Sequence, residues 1–169
     1  MANTPIESIE SEQPLLVERY GFVSDTGGAG KYRGGLGIER EFRLLAEDAT
    51  FQLRSDRSDF TPWGVQGGRP GTPTENYLNP GTDREEKLPG KTLRQLKKGD
   101  LYRVVQAGAG GYGDPLERDM YAVADDVEQE KLSAEYVRRE YGVVVDPKTS
   151  ALDVSGTEKL RAEMAAANN

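Results

Sequence analysis

Polar and apolar positions alternate along two early stretches of the chain. From Leu36 to Leu44 the positions Leu36, Ile38, Phe42 and Leu44 are apolar, interrupted by Arg40, while Gly37, Glu39, Glu41 and Arg43 lie between them. A period of two is that of a half-buried strand. After a turn signal at Glu47-Asp48, the stretch Thr50 to Asp56 alternates again. It is expected to pair back antiparallel as a hairpin, delivering Arg54, Asp56 and Arg57 at its far end. Leu15 to Val23 reads as an earlier strand. Lys91 to Leu96, the turn Lys97-Lys98-Gly99-Asp100 and Leu101 to Gln106 read as a second hairpin. Beyond Asp114-Pro115 the period changes to about 3.6, with Met120, Val123 and Val127, then Tyr136, Val137 and Tyr141, spaced as on helix faces. Asp119 and Ser133 are expected N-caps, and Gly142 an expected stop. Val143 to Val145 reads as a short strand. Ser155-Gly156-Thr157-Glu158 has capping-box spacing and predicts a last helix whose Ala- and Asn-rich end frays.

Glycine and proline interrupt this pattern in an ordered way. The runs Gly27 to Gly37, Gly64 to Gly71 and Gly108 to Gly113 hold most of the glycines. Glycine loses the most conformational freedom on folding, so such density implies that the backbone must be bare. Between Asp59 and Gly90 lie Pro62, Pro70, Pro73, Pro80 and Pro89, a density that excludes central strands and helix interiors and suggests extended polyproline-II segments. The fold class expected is mainly β, with Gly/Pro-rich segments and a short helical tail. The expected division is a β-rich domain over 1–115 and a helical tail over 116–169.

Composition narrows the chemistry. The 169 residues contain no cysteine and no histidine, which removes disulfides, thiolate nucleophiles, the commonest metal ligand and the usual general base near neutral pH. The net charge of −7 is concentrated in the tail, where Asp114 to Asn169 carries thirteen acidic and seven basic residues. An acidic chain without a basic patch repels phosphate backbones, so no nucleic acid is expected as a partner. No run approaches the length of a membrane span, and Met1 to Pro14 is too polar for a signal peptide, so no membrane partner and a cytoplasmic location are expected.

Several residues stand out. Lys31 and Arg33 lie within the Gly27 to Gly37 run, where bare N–H groups beside cations can cradle an anion; close packing is the competing explanation. The run lacks the lysine-then-Ser/Thr ending of a nucleotide phosphate loop, and a strand follows it. Arg54, Asp56 and Arg57 could pair with one another or touch substrate. Trp63, between Pro62 and Gly64, reads as a loop anchor or an interface residue. Arg40 reads as a snorkelling stem or an interface donor, and Tyr112 is a further interface candidate. The charges around Asp125-Asp126 read as a solvated helix face, and no metal ligands are assigned.

Together, Asn3-Thr4-Pro5-Ile6-Glu7, the Gly27 to Gly37 run, Asp56-Arg57, Pro62-Trp63-Gly64, Gly67-Gly68-Arg69-Pro70-Gly71, Leu78-Asn79-Pro80-Gly81 and Gly110 to Asp119 ahead of Tyr141-Gly142-Val143 resemble, in order and spacing, the C-terminal part of the hydantoinase B family. This family of hydantoinase/oxoprolinase B-type subunits also includes subunits of ATP-dependent ketone carboxylases. The resemblance runs from about Asn3 to about Val145 and implies barrel-like β sheets joined to bundled polyproline-II-like segments. It implies an A-type subunit that phosphorylates a carbonyl or amide oxygen, and a B-type subunit that handles the activated intermediate, ending in cyclic amide opening or in carboxylation. B-type subunits are several hundred residues long, and their His and acidic ligand-like residues lie upstream of the resembling part. The chain is therefore expected to be a separate small subunit, or a fragment, that is inactive alone. Its expected partners are a large B-type subunit lacking this part and an ATPase-like A-type subunit. The complex is expected to use ATP and Mg, with any further divalent metal in the partner and no cofactor on this chain. The alternative is a purely structural module bridging the A-type and B-type subunits.

Overall fold

The alternating runs do form strands, but none lies beside the partner that a hairpin would give it. The computed structural model describes residues 4–167. Asn3 of the Asn3 to Glu7 motif, the opening Met1-Ala2 and the terminal Asn168-Asn169 lie outside the described residues. A short helix α1 (Ile6–Glu12) precedes β1 (Leu15–Val23), β2 (Gly37–Leu44), β3 (Asp48–Arg54), β4 (Glu75–Leu78), β5 (Glu86–Lys87), β6 (Lys91–Lys97) and β7 (Leu101–Val105). β2 pairs antiparallel with β7, Glu39 opposite Val105 and Arg43 opposite Leu101, while β3 pairs antiparallel with β6, Asp48 opposite Lys97 and Arg54 opposite Lys91. The strand order is β1-β2-β7-β4-β5 in one sheet, with β3-β6 as another.

Neither expected hairpin exists. Each turn is instead a corner at which the chain changes sheet, and the two corners are bonded together: Leu44 N donates to Asp100 O at 2.9 Å, Gly99 N to Leu44 O at 2.8 Å and Lys98 N to Glu47 O at 3.1 Å. Gly99 turns there with a φ of +88°, in the region that favours glycine. Alternation fixes which face of a strand is buried, not which strand lies beside it.

β4 overturns another expectation, because it lies between β7 and β5, inside the sheet. Its residues fall in the proline-free window between Pro73 and Pro80, so every residue of the strand keeps its N–H for the ladder. α1 has no counterpart among the elements the pattern predicts. The sheets are antiparallel as expected, but among the described residues they close no barrel, since β1 and β5 remain edges.

The chain gathers into two compact units, which cut across the 1–115 and 116–169 division. The first comprises Met1–Gly21, Ile38–Phe60 and Pro73–Gln106. It holds both sheets and the buried Leu44, Leu53, Leu88, Leu96 and Val105.

The second unit comprises Phe22–Gly37, Thr61–Thr72 and Ala107–Asn169, so the three glycine segments fold with the helices. Its core joins Val123 of α2 (Met120–Glu128), Val137 and Tyr141 of α3 (Ala134–Tyr141), Leu132, Val143, Val145 and Ala29. Asp119 caps α2, accepting from Tyr121 N at 2.7 Å, and Ser133 caps α3, accepting from Tyr136 N at 3.1 Å. Gly142 ends α3 with a φ of +60°. β8 (Val144–Val145) and β9 (Leu152–Asp153) form a small antiparallel pair before α4 (Val154–Ala167). The cap of α4 is Asp153, whose Oδ1 accepts from Gly156 N at 2.9 Å, and not the expected Ser155.

Close approach explains the glycine segments. A Cβ on Gly108 would stand 1.8 Å from Thr26 O, one on Gly34 1.9 Å from Ala109 O and one on Gly110 1.9 Å from Trp63 O. The three segments lie backbone against backbone, and no side-chain rearrangement could make room.

Candidate functional site

In the first unit, the chain leaving β3 makes a short loop whose ends are fixed by backbone bonds. Ser55 N donates to Gly90 O at 2.7 Å, and Thr74 N donates to Arg57 O at 3.0 Å. Between these anchors Arg57 adopts a φ of +67°, a left-handed conformation that costs a non-glycine residue about 1–3 kcal/mol. The loop borders a cleft of about 810 Å³ lined by Ser55 to Phe60, Pro73, Thr74, Asn76 and Lys87 to Lys91. Such a volume suits a small molecule.

The floor and the mouth of the cleft differ in chemistry. Asn76, 1% exposed, forms part of the floor. Its Nδ2 donates to Ser55 Oγ at 3.3 Å, and its Oδ1 accepts from Tyr102 Oη at 2.7 Å. Burial pushes the Tyr102 phenol up to about 12, so it stays a neutral donor. Ser58 Oγ is buried and has no hydrogen-bond partner among the described residues. Asp56, Arg57, Asp59 and Lys91 bring charges of both signs to the lining. Lys87 is held by Glu75 at 3.0 Å. Such a lining can take a small dipolar molecule, with cations for an acidic group and carboxylates for N–H donors.

The expected mutual pairing of Arg54, Asp56 and Arg57 does not form for the first two. Neither Arg54 nor Asp56 has an ion-pair partner among the described residues. Asp56 and Arg57 line the cleft, whereas Arg54 lines a separate groove with Gln52, Leu53 and Lys91 to Leu93. Composition pointed to Asp56 and Arg57 but not to Ser58, Asp59, Asn76 or Lys91. Those four come together only through the β3-β6 pairing and the insertion of β4.

The cations of the glycine run are committed elsewhere. Lys31 Nζ donates to Glu117 Oε2 at 3.0 Å. Arg33 donates through Nε and Nη2 to Asp126 Oδ2 and Oδ1, at 2.9 and 3.0 Å. Asp126 also accepts from Arg118 Nη2 at 2.8 Å and lies 3.8 Å from Lys131 Nζ. Asp126 is 5% exposed, which corrects the expectation of a solvated face there. The signal was present in its spacing, one position before Val127 and three after Val123.

These residues do not fit a nucleotide phosphate. The N–H groups that would cradle it are used: Gly28 N donates to Ala109 O, Lys31 N to Gly113 O, Tyr32 N to Tyr112 O and Gly34 N to Gly28 O. Nor do the described residues contain a group of three or more Asp or Glu able to hold a metal ion. No helix among them is long and apolar enough to cross a membrane.

Of the interface candidates, Arg40 lies on β2 with its guanidinium carbon 4.4 Å from the centroid of the Tyr20 ring. Its Nε and Nη2 are buried and have no hydrogen-bond partner among the described residues, so these nitrogens do not snorkel to water. Trp63 and Tyr112 are exposed residues of the second unit.

Comparison with known proteins extends this picture. An uncharacterised protein of Methanocaldococcus jannaschii is 40% identical over 161 residues, covering 94% of this chain and 28% of its own length. The crystal structure of the ATP-dependent caprolactamase from Pseudomonas jessenii is 32% identical, with a TM-score of 0.79, over 94% of this chain and 28% of that one. The nucleotide-free structure of acetone carboxylase shares the fold, with a TM-score of 0.85 at 24% identity, over 98% of this chain and 26% of that one. The chain thus spans little more than a quarter of the length of these relatives. The profile of the hydantoinase B/oxoprolinase family covers residues 1–115, taking in both sheets, the cleft and all three glycine segments, and the chain is a member of that family.

Proposed function

We propose that this chain is a small component of a hetero-oligomeric ATP-dependent enzyme of the hydantoinase, oxoprolinase or ketone-carboxylase type. In this reading it completes a B-type subunit that processes a phosphorylated amide or enol intermediate. The observation that carries the proposal is the family match together with coverage of little more than a quarter of each relative. An amide or carbonyl oxygen leaves poorly until it is phosphorylated, so a chain without histidine or cysteine fits a division of labour in which other polypeptide supplies activation. ATP and Mg belong to the complex in this proposal and not to this chain. Its cytoplasmic location is part of the same proposal.

Within the complex, the cleft is assigned to the substrate or its opened product. Arg57 and Lys91 would take an acidic or phosphorylated group, and Asp56, Asp59 and Ser58 would take amide N–H or oxygen atoms. Arg54, Lys31 and Arg33 are weaker contact candidates, the last two because carboxylates already hold them.

The test is affinity purification of the chain from its native host at low salt, followed by mass spectrometry and assays of ATP-dependent lactam opening and ketone carboxylation. Recovery of B-type sequence beyond this chain, with an ATPase-like A-type subunit and ATP-dependent turnover, is the expected result. A folded monomer recovered alone, with no such activity in the extract fractions that contain it, would sink the proposal.

A further inference from the structure

Three segments of the second unit lie side by side and expose one aromatic face. Tyr32 and Tyr112 form an antiparallel bridge, each N–H donating to the other's carbonyl at 3.0 and 2.9 Å. Val65 bridges Tyr112 from the other side in parallel, with Val65 N donating to Gly111 O and Gly113 N to Val65 O, both at 2.9 Å. Residues opposite one another in such pairs point to the same face. Side chains in extended backbone alternate, so Lys31 and Arg33 point away from Tyr32's face, toward Glu117 and Asp126. The inner face of this ribbon is committed to the helices, and the outer face carries Tyr32, Tyr112 and Val65 in a row. Trp63, two residues before Val65, is a further exposed aromatic of the same segment.

All four are exposed: Tyr32 by 64%, Trp63 by 71%, Tyr112 by 52% and Val65 by 45%. The two tyrosine rings are 6.2 Å apart. Adjacent exposed aromatics on a rigid, backbone-bonded ribbon are the composition of an interface core, where Trp and Tyr are enriched and Lys, Glu and Asp depleted.

We infer that this face packs against the remaining part of the B-type fold, on whichever polypeptide that part is carried. The inference rests on the proposed function and adds the surface used. The relatives' remaining length, nearly three quarters of it, is architecture that must meet this quarter somewhere. Among contact types, a permanent contact within one fold is the most apolar, whereas subunits that associate and part use more polar surfaces. A face of two tyrosines and a valine, with an exposed tryptophan two residues from the valine, matches the permanent kind.

The test uses the assembled enzyme from the native host, with Tyr112 replaced by the photo-crosslinker benzoylphenylalanine, together with hydroxyl-radical footprinting of the unmodified assembly. Tyr32, Trp63 and Tyr112 should oxidise roughly five-fold or more slowly in the assembly than in the isolated chain, as expected of side chains at an interface core. The crosslink from position 112 should fall on B-type sequence beyond this chain. Equal oxidation rates in a preparation that contains this B-type sequence would overturn the face while leaving the proposed function standing. A crosslink to an A-type subunit or to a second copy of this chain would overturn the occupant. A preparation with no further B-type sequence would overturn both.

Discussion

Arg33 and Asp126 meet fork to fork, with Nε and Nη2 of the one on the two carboxylate oxygens of the other at 2.9 and 3.0 Å. The pair ties the first glycine segment to α2, and it is well shielded, the side chains being 17% and 7% exposed. Removing one member of a buried pair leaves a charge without compensation and costs about 3–5 kcal/mol. Asp126→Ala strands Arg33 and Arg118 together and loosens Lys131, so a loss at the upper end of that range is expected from urea unfolding of the isolated chain. A loss below about 1 kcal/mol would show that water reaches the cluster and that the clamp is only a surface ion pair.

Glycine substitutions should separate into two sharply different classes. Gly108→Ala places a methyl 1.8 Å from the carbonyl oxygen of Thr26, and backbone cannot move aside as a side chain can. Overpacking of this kind costs about 1–3 kcal/mol and sometimes more, so a large drop in thermal midpoint or failure to fold is expected. Gly35→Ala meets nothing within 4 Å and has no left-handed φ. It should leave stability unchanged or raise it by about 0.4–1 kcal/mol, by restricting the unfolded chain. Equal behaviour of the two variants would refute close packing as the reason for the glycines.

Acid should weaken the corner where β6 turns into β7. Burial pushes the Asp100 carboxyl up, but the hydrogen bonds from Lys97 N, Asn79 Nδ2 and Arg84 Nη1 outweigh it and hold its pKa below the ordinary aspartate value. A carboxyl with a lowered pKa in the folded state contributes stability that is fully present above its unfolded pKa. That stability is lost as pH falls through the folded value. The urea midpoint should therefore fall between pH 5 and pH 2, a window set roughly by the unfolded aspartate pKa of about 3.9 and the value below it. Asp100→Asn should lower stability at pH 7 and flatten that part of the profile. An unchanged slope in the variant would mean that other carboxyls carry the acid transition.

The longer strands were legible in the sequence, whereas β4, β5 and the strand partners were not. Alternation located β2, and the period near 3.6 located α2 and α3 together with the caps Asp119, Ser133 and Gly142, because each of those signals is local. Pairing of β2 with β7 and of β3 with β6 is decided by contacts between residues far apart in the chain, such as Glu39 with Val105 and Arg54 with Lys91, which no local period encodes. The same limit governed the cleft. Asp56 and Arg57 stood out by composition, but the buried Asn76 and the unpartnered Ser58 Oγ gain meaning only once β4 is seen inside the sheet. The left-handed backbone at Arg57 could not be anticipated either, since arginine carries no preference for that conformation.

Asp56 offers the cleanest separation of catalysis from assembly. It is exposed and has no ion-pair partner among the described residues, so Asp56→Asn, which keeps the shape and removes the charge, should change stability by no more than about 0.5 kcal/mol. If the cleft holds substrate in the assembled enzyme, the variant should assemble normally and lose about ten-fold or more in kcat/KM for the substrate, with the constant for ATP unchanged. A rise in KM at constant kcat would indicate a contact made equally in ground and transition states. An equal fall in kcat and kcat/KM would place Asp56 at the reacting atoms. Normal constants in Asp56→Asn, and also in Lys91→Ala, would remove the cleft from the reaction and leave this chain the bridging role, with its importance confined to the surfaces that hold the complex together.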